Sequence, residues 1–157
     1  MVPTLRAARK EDIPLLIQSR LDFFRALGYI IEPKDELQAA RQIEVFLSNH
    51  LDRDIFAWMA LEEESFMAAG FLHVIEAMWQ PMAPSGRYGR IINILTLPPY
   101  RHQGLARAIM QELLRKAREL NLDYIDLDAS PEGQPLYESL GFTLTQAIHP
   151  PMRLHLK

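Results

Sequence analysis

The amino-acid sequence predicts a single α/β (α+β) domain over residues 1 to 157, with about six to seven short strands in one sheet and about four helices covering it. Three observations support this fold class. The length of 157 residues suits one domain with one hydrophobic core. The composition, 48% hydrophobic and 24% charged, is that of a folded globular protein. Strand-like and helix-like apolar patterns follow one another along the chain, with no internal repeat.

The first elements are a short strand at residues 5 to 8 and two amphipathic helices. The first helix covers residues 13 to 27, with Pro14 tolerated in its first turn, and Gly28 ends it. The second helix begins at Pro33 and runs to residue 51. Their apolar residues recur at helical spacing: Ile13, Leu16, Ile17, Leu21, Phe24 and Leu27 in the first, and Leu37, Ala40, Ile43, Leu47 and Leu51 in the second.

Residues 55 to 61 and 66 to 76 are rich in aromatic and branched side chains and are separated by an acidic turn, which predicts an antiparallel hairpin. Residues 77 to 90 form a long connection that contains Trp79 and Tyr88. Long connections often carry binding function, so this segment is either a lid that faces the substrate or an ordinary surface loop.

The second half of the chain predicts a central strand at residues 90 to 97, which Pro98 and Pro99 end, and a helix at residues 104 to 120. A strand at 124 to 128 and a short helix at 134 to 140 follow, and Gly141 stops that helix. Two final strands are predicted at residues 142 to 145 and 152 to 156, the last with alternating apolar and polar side chains.

The bulk numbers exclude some kinds of site and disfavour binding to nucleic acid or an anionic membrane, although they leave a local basic patch open. A net charge of −3 and a pI near 5.9 provide no basic field for nucleic acid or an anionic membrane. The absence of cysteine excludes disulfides, thiolate metal sites and a cysteine nucleophile, and the five histidines have no metal-site spacing. Because the chain shows neither a signal-peptide pattern nor about 18 consecutive apolar residues, we expect a soluble cytoplasmic protein.

The turn between the central strand and the long helix has the composition of a phosphate-binding site. A helix N-terminus presents free N–H groups to an anion, glycine lets a phosphate approach the backbone, and an arginine adds a charge-assisted contact. The sequence after Gly104 fits neither a P-loop nor a dinucleotide-binding motif. The turn consists of Arg101, His102, Gln103, Gly104, Leu105 and Ala106.

This turn lies in a longer stretch that resembles the GNAT (Gcn5-related N-acetyltransferase) superfamily. The resemblance rests on INILTLPPYRHQGLARAIMQELLRKAREL, YIDLDAS and PLYESLGF. It implies a mixed, mostly antiparallel sheet, splayed between its fourth and fifth strands. It also implies coenzyme A as the cofactor, without a metal, and transfer of acetyl from acetyl-CoA to a primary amine by direct attack in a ternary complex.

The resemblance also implies which residues contact the cofactor. The pantetheine arm would lie in the splayed gap against Leu95, Thr96 and Leu97, and the Leu97 N–H would polarise the thioester carbonyl. The side chains of Leu95 and Leu97 are expected to be ordinary core. Besides the phosphate turn, further contacts are implied for Arg107, Ser130, Gln134 and Tyr137.

Tyr137 matches the tyrosine that hydrogen-bonds the coenzyme sulfur in this family, where it serves as general acid; the alternative is a buried packing tyrosine. Many relatives place a glutamate on the strand before the phosphate turn, whereas this strand offers Asn93 and Thr96. Glu76, at the end of the preceding strand, is the candidate base, directly or through water, or else a solvated strand end. His73 is expected to be packed. The reaction also allows for no base at all.

Two other functions remain open at this stage: a non-catalytic acyl-CoA-binding or sensing module, and a plain interaction domain. The acceptor is a small molecule, a peptide or a protein, and its identity has no sequence code. The range of acyl groups is equally undetermined. A homodimer through the C-terminal strands is common in such proteins, but the sequence alone defines no interface.

Overall fold

The computed structural model describes residues 2–157, which form two compact units that divide between Leu127 and Asp128. The first unit contains a five-stranded sheet in the order β1-β2-β3-β4-β5 and three helices. Its elements are β1 (Thr4–Ala7), α1 (Ile13–Ala26), α2 (Pro33–His50), β2 (Ile55–Glu62), β3 (Ser65–Glu76), β4 (Arg87–Thr96), α3 (Leu105–Glu119) and β5 (Ile125–Asp126). The second unit contains one helix, α4 (Gln134–Ser139).

The sheet is mixed and mostly antiparallel, as the family resemblance implies. Strands β1 to β4 pair antiparallel with their neighbours, and β5 pairs parallel to β4. The predicted hairpin is confirmed, since Glu62 pairs with Ser65 across its turn.

The helices of the first unit cover opposite faces of the sheet. On one face, Leu16 of α1 and Leu47 of α2 pack in a buried cluster with Met59 and Phe71. On the other face, α3 lies so close to β3 that a Cβ atom added to Gly70 would stand 2.9 Å from the Ile109 side chain. The alternation of side chains along the strands therefore provides both faces of the sheet with a core.

The connection between β3 and β4 is shorter than predicted because β4 begins at Arg87. Residues 77 to 86 are held by a hydrogen bond from the Ala77 N–H to the Gly86 carbonyl (2.8 Å) and by the fully buried Ala83. Trp79 is 71% exposed on this loop. The loop is thus ordered at its base and carries an apolar residue in solvent.

Two of the predicted strands are wrong. Residues 142 to 145 and 152 to 156 have no strand structure, β5 contains two residues instead of 124 to 128, and the sheet has five strands instead of about six to seven. A strand exists through hydrogen bonds to a neighbour, and the sheet of this chain ends at β5. The side chains of Met152, Leu154 and Leu156 are 95%, 81% and 87% exposed. The apolar alternation is present, but it has no partner strand.

Among the helices of residues 2–157, none is long and apolar enough to cross a membrane.

Candidate active site

Strand β4 has an open side. It pairs with β3 along most of its length, but with β5 only at Gly89↔Ile125 and Arg90↔Asp126. The remaining part of β4, from Ile91 to Thr96, has no strand beside it on the β5 side within the described chain. The predicted splay between the fourth and fifth strands is therefore present, and it leaves backbone N–H and C=O groups for a ligand.

A β-bulge in β4 decides which of these groups face the open side. Ile92 pairs with Phe71 and Leu95 pairs with Ala69, so that Gly70 alone lies opposite two residues, Asn93 and Ile94. Asn93 has a φ of 60°, in the left-handed region that asparagine tolerates better than most residues. The extra residue reverses the alternation of the backbone from this point on.

The hydrogen bonds on either side of the bulge show this reversal. Before it, the Gly89 N–H points towards β5 and donates to the Tyr124 carbonyl (2.9 Å). After it, the Leu97 N–H points the other way and donates to the Met67 carbonyl of β3 (2.9 Å). Because N–H groups alternate along a strand, those of Ile94 and Thr96 face the open side.

The expectation that the Leu97 N–H polarises a thioester carbonyl is therefore wrong for this atom, which is already engaged with β3. The Thr96 carbonyl lies on the open side, where it accepts a hydrogen bond from Arg101 Nε (3.2 Å). The side chain of Leu95 is 6% exposed and belongs to the core, as predicted. Residues 95 to 97 would therefore contact a cofactor with those of their backbone N–H and C=O groups that face the open side.

The side chain of Asn93 joins the bulge to α1. It is 1% exposed, and its Nδ2 donates to Oγ of the fully buried Ser19 (2.9 Å). In residues 2–157, its Oδ1 is the only buried side-chain oxygen or nitrogen without a hydrogen-bond partner. In the sequence, Asn93 differs from many relatives only in that it is not a carboxylate. The signal for the bulge is a polar residue within a strand, at a position where asparagine tolerates the left-handed conformation.

The phosphate turn continues from β4 through a short 3₁₀ turn, Pro98–Tyr100, into α3. Gly104 has a φ of 80° and precedes the first helical residue, and its carbonyl accepts the first helical hydrogen bond, from Ala108 (3.0 Å). The N–H groups of Leu105, Ala106 and Arg107 precede that bond, and no side chain caps the helix. A Cβ atom added to Gly104 would meet no atom within 4 Å. Open space and helix N–H groups together fit a phosphate.

The predicted residues of the turn differ in exposure. The side chains of Arg101, His102 and Gln103 are exposed, and Gln103 Nε2 donates to the Pro99 carbonyl (3.4 Å). Leu105 is 6% exposed and packs in the core, and Ala106 is half-buried. Arg107 is exposed and already interacts within the protein. The turn thus brings an exposed cation, an αL glycine and a helix N-terminus together.

The second unit holds the other predicted residues. Tyr137 is 9% exposed, its ring lies 6.2 Å from the ring of Phe142, and burial raises the pKa of its hydroxyl. Ser130 Oγ accepts a hydrogen bond from the Gly133 N–H (3.1 Å), and Gln134 Nε2 donates to Glu138 Oε1 (2.7 Å). Tyr137 is therefore packed and protonated at neutral pH, while the roles of all three residues remain predictions.

Glu76 is exposed at the end of β3, opposite Arg87. Glu76 is five positions along β3 from Phe71, which pairs beside the bulge, so it lies about 17 Å along the strand from that point. His73 packs edge-on against Phe46 with 6.2 Å between ring centroids, as predicted, and burial lowers its pKa. In residues 2–157, no group of three or more acidic or histidine side chains could hold a metal ion.

A mixed sheet that splays at β4 beside the open N-terminus of α3 is the arrangement expected of an acyltransferase of the family that the sequence resembles. The comparisons with known proteins agree with this class. The model of the Acetyltransferase (GNAT) family matches residues 16–142. The chain belongs to this family and is an acyltransferase. A search of curated proteins finds no match.

Several solved structures resemble the chain. A predicted acetyltransferase from Clostridium acetobutylicum, solved with acetyl-CoA, is 27% identical with a TM-score of 0.83, over 99% of this chain and 97% of its own. A GCN5-related N-acetyltransferase from Ralstonia eutropha is also 27% identical, with a TM-score of 0.75 over 96% and 98%. Glucosamine-6-phosphate N-acetyltransferase from Arabidopsis thaliana, 17% identical with a TM-score of 0.69 over all of both chains, shares the fold.

Proposed function

We propose that this protein transfers an acetyl group from acetyl-CoA to a primary amine, by direct attack of the amine in a ternary complex. The observation that carries the proposal is the continuity of two open backbone surfaces: the free side of β4 and the uncapped first turn of α3. One can bind an extended, amide-containing arm, and the other can bind a diphosphate.

The residues of the turn and of β4 would hold the coenzyme, which supplies an acetyl group activated as a thioester. The N–H groups of residues 104 to 107 and the Arg101 guanidinium bind the phosphates. The N–H groups of Ile94 and Thr96 bind the arm, and one of them donates to the carbonyl oxygen as it gains negative charge. Such preorganised donors commonly supply about 3 to 4 kcal/mol of transition-state stabilisation.

Tyr137 serves as the general acid in this proposal. Because burial raises its pKa, the Tyr137 hydroxyl keeps its proton at neutral pH and can donate it to the departing thiolate. Glu76 remains the candidate base, but its distance of about 17 Å from the bulge favours action through water over direct contact with the amine. An amine that arrives in its neutral form would need no base.

The central test compares two glycines. Gly104 and Gly28 both have positive φ, 80° and 91°, and a Cβ atom added at either meets nothing within 4 Å, but Gly28 ends α1 and not the phosphate turn. We expect Gly104→Ala to weaken coenzyme A binding by at least about tenfold in isothermal titration, while Gly28→Ala binds normally. Equal binding by both variants would remove the phosphate site. Binding without thiol release from acetyl-CoA across an amine panel would indicate an acyl-CoA-binding module instead.

We also propose that the protein forms a homodimer, in which residues 152 to 156 of one copy pair with the outer edge of β5 in the other copy. One missing neighbour would explain both departures from the predicted strands: the short β5 and the unpaired apolar alternation. Residues 143 to 157 carry Arg153 and Lys157 and no carboxylate side chain, whereas β5 carries Asp126. Pro150 and Pro151 favour an extended chain over a tight turn back to the same copy.

Sedimentation velocity tests this dimer, for which we expect twice the chain mass of 18.1 kDa. Leu154→Arg should shift the protein to monomer, because a charge replaces an apolar contact, while Leu37→Arg on the exposed side of α2 should leave the dimer intact. The chain has no cysteine, so co-expressed single variants Asp126→Cys and Arg153→Cys can be cross-linked with a short bismaleimide. Cross-links only within a double-cysteine chain would show that the segment folds back on its own copy.

A further inference from the structure

An arginine interrupts the apolar stripe of α1. Arg20 lies four residues from Leu16 and four from Phe24, so it shares their face of the helix. Leu16 is fully buried on this face, and Arg20 itself is half-buried. A cation at such a position is costly unless its charge is compensated.

Within residues 2–157, no carboxylate and no backbone carbonyl compensates this charge. The ion pairs of the described chain involve other cations, among them Arg25 of α1, which binds Asp22 of the same helix (3.2 Å) and Glu36 of α2 (3.1 Å). The Arg20 guanidinium lies instead over the ring of Phe24, 4.5 Å from its centroid, with the ring of Phe23 at 5.9 Å. Desolvation is the only cause that shifts the pKa of Arg20, and it lowers it.

The guanidinium also remains accessible. None of its nitrogens is among the fully buried polar atoms without a partner, so each retains some contact with solvent. Phe24 packs edge-on against Tyr29 (5.5 Å between centroids), and Tyr29 is 63% exposed. Arg20 thus lies against aromatic rings at the margin of a surface that a ligand can reach, and no acceptor among residues 2–157 binds its N–H groups.

The position of Arg20 relates it to the open part of β4. The preceding residue, Ser19, receives the hydrogen bond from Asn93 at the bulge, where the free side of β4 carries the Ile94 and Thr96 N–H groups. Consecutive Cα atoms are about 3.8 Å apart, so the backbone of Arg20 is one residue from this contact. The backbone of Arg20 therefore lies beside the point at which α1 contacts the bulge of β4.

We infer that Arg20 is a specificity-determining residue that binds an oxyanion, a carboxylate or a phosphate, carried by the amine acceptor. A guanidinium offers a fork of N–H donors that matches both groups, and the rings of Phe23 and Phe24 restrict its orientation. This inference rests on the proposed acetyl transfer to an amine and narrows its acceptors to amines with a negatively charged group.

Matched amine pairs test the inference through thiol release from acetyl-CoA. The pairs are 4-aminobutyrate with butylamine, and phosphoethanolamine with ethanolamine, so that the carboxylate and the phosphate are probed separately. We expect the wild type to prefer the anionic member of at least one pair. Arg20→Gln should raise KM for that amine by about tenfold or more and leave its kcat little changed. KM and kcat for the neutral amine of the pair should also change little. Arg25→Gln is the matched control, because Arg25 lies on the same helix and is already paired.

A second measurement does not depend on turnover. The Nε–Hε signal of Arg20 in an NMR spectrum should move on titration with 4-aminobutyrate or phosphoethanolamine and stay in place with butylamine. An unmoved signal overturns the inference, and so does an equal preference within both pairs or a preference that Arg20→Gln retains. If coenzyme A binds but no amine releases thiol, the proposed activity fails, and the NMR titration alone decides whether Arg20 binds an oxyanion.

Discussion

Two substitutions of Asn93 separate the effect of its backbone conformation from the effect of its side chain. Asn93→Gly and Asn93→Ala remove the same side chain and the same hydrogen bond to Ser19. They differ at the φ of 60°, which glycine adopts freely and alanine does not.

The left-handed conformation costs an ordinary residue about 1 to 2 kcal/mol. Glycine lowers the stability of the folded state by about 0.5 to 1 kcal/mol, because it has more conformational entropy in the unfolded chain. This loss offsets part of the advantage that glycine has over alanine at a positive φ. We therefore expect the alanine variant to be less stable than the glycine variant by about 0.5 to 1 kcal/mol. Urea denaturation measures the difference, which at a slope of about 1 to 3 kcal/mol/M separates the two midpoints by a few tenths molar.

The same pair of variants tests the function of the bulge. If alanine shifts the register, the Ile94 and Thr96 N–H groups turn away from the open side, so turnover should fall more in Asn93→Ala than in Asn93→Gly. Ser19→Ala is the complementary change: it leaves the buried Asn93 Nδ2 without a partner, at a cost of about 1 to 3 kcal/mol, but keeps the backbone. An alanine variant that matches the glycine variant in both stability and turnover would refute this account of the bulge.

Two further predictions concern single side chains. Tyr137→Phe should lower kcat by roughly 10²-fold or more while the affinity for acetyl-CoA stays nearly unchanged. Tyr124→Phe is the control, because the Tyr124 hydroxyl accepts only a long hydrogen bond from Gln80 (3.5 Å). Unchanged steady-state turnover in Tyr137→Phe would remove the acid role. Burial lowers the pKa of His73 below its usual 6.5, so the unfolded chain binds a proton first as the pH falls. Stability should therefore decrease below about pH 6.5, and His73→Gln should show a weaker decrease than the exposed control His149→Gln in denaturation series at several pH values.

The helices and the hairpin follow from local rules. Pro14 and Pro33 lie in the first turns of α1 and α2, Gly28 follows α1 at a positive φ, and apolar spacing locates the buried faces. The phosphate turn is equally local, because a glycine before the helix and an arginine three residues earlier are neighbours in sequence. These features could be predicted because no distant residue decides them.

The final strands could not be predicted from local pattern, because a strand requires a neighbour. Residues 152 to 156 have the alternation of a strand and β5 has the composition of one, yet the sheet of this chain ends with two paired residues. Likewise, Arg20 reads in the sequence as one more polar residue on a helix. That no carboxylate of residues 2–157 pairs with Arg20 is known only once the partners of Arg25 and the rings beside Arg20 are known.

One extra residue in β4 changes which backbone N–H groups face the open side, and so makes the hydrogen-bond donors differ from the predicted Leu97 N–H. The family resemblance places the cofactor arm against residues 95 to 97, and the assignment of a particular N–H then depends on which residues face β3. Had β4 been regular, Leu97 would point to the same side as Gly89, towards β5, and its N–H would be free. The extra residue at Asn93 turns Leu97 to β3 and leaves Ile94 and Thr96 on the open side. A bulge has only a weak sequence signal, so the donor is better assigned by counting back from the β3 contact of Leu97 than by counting forward from the start of the strand.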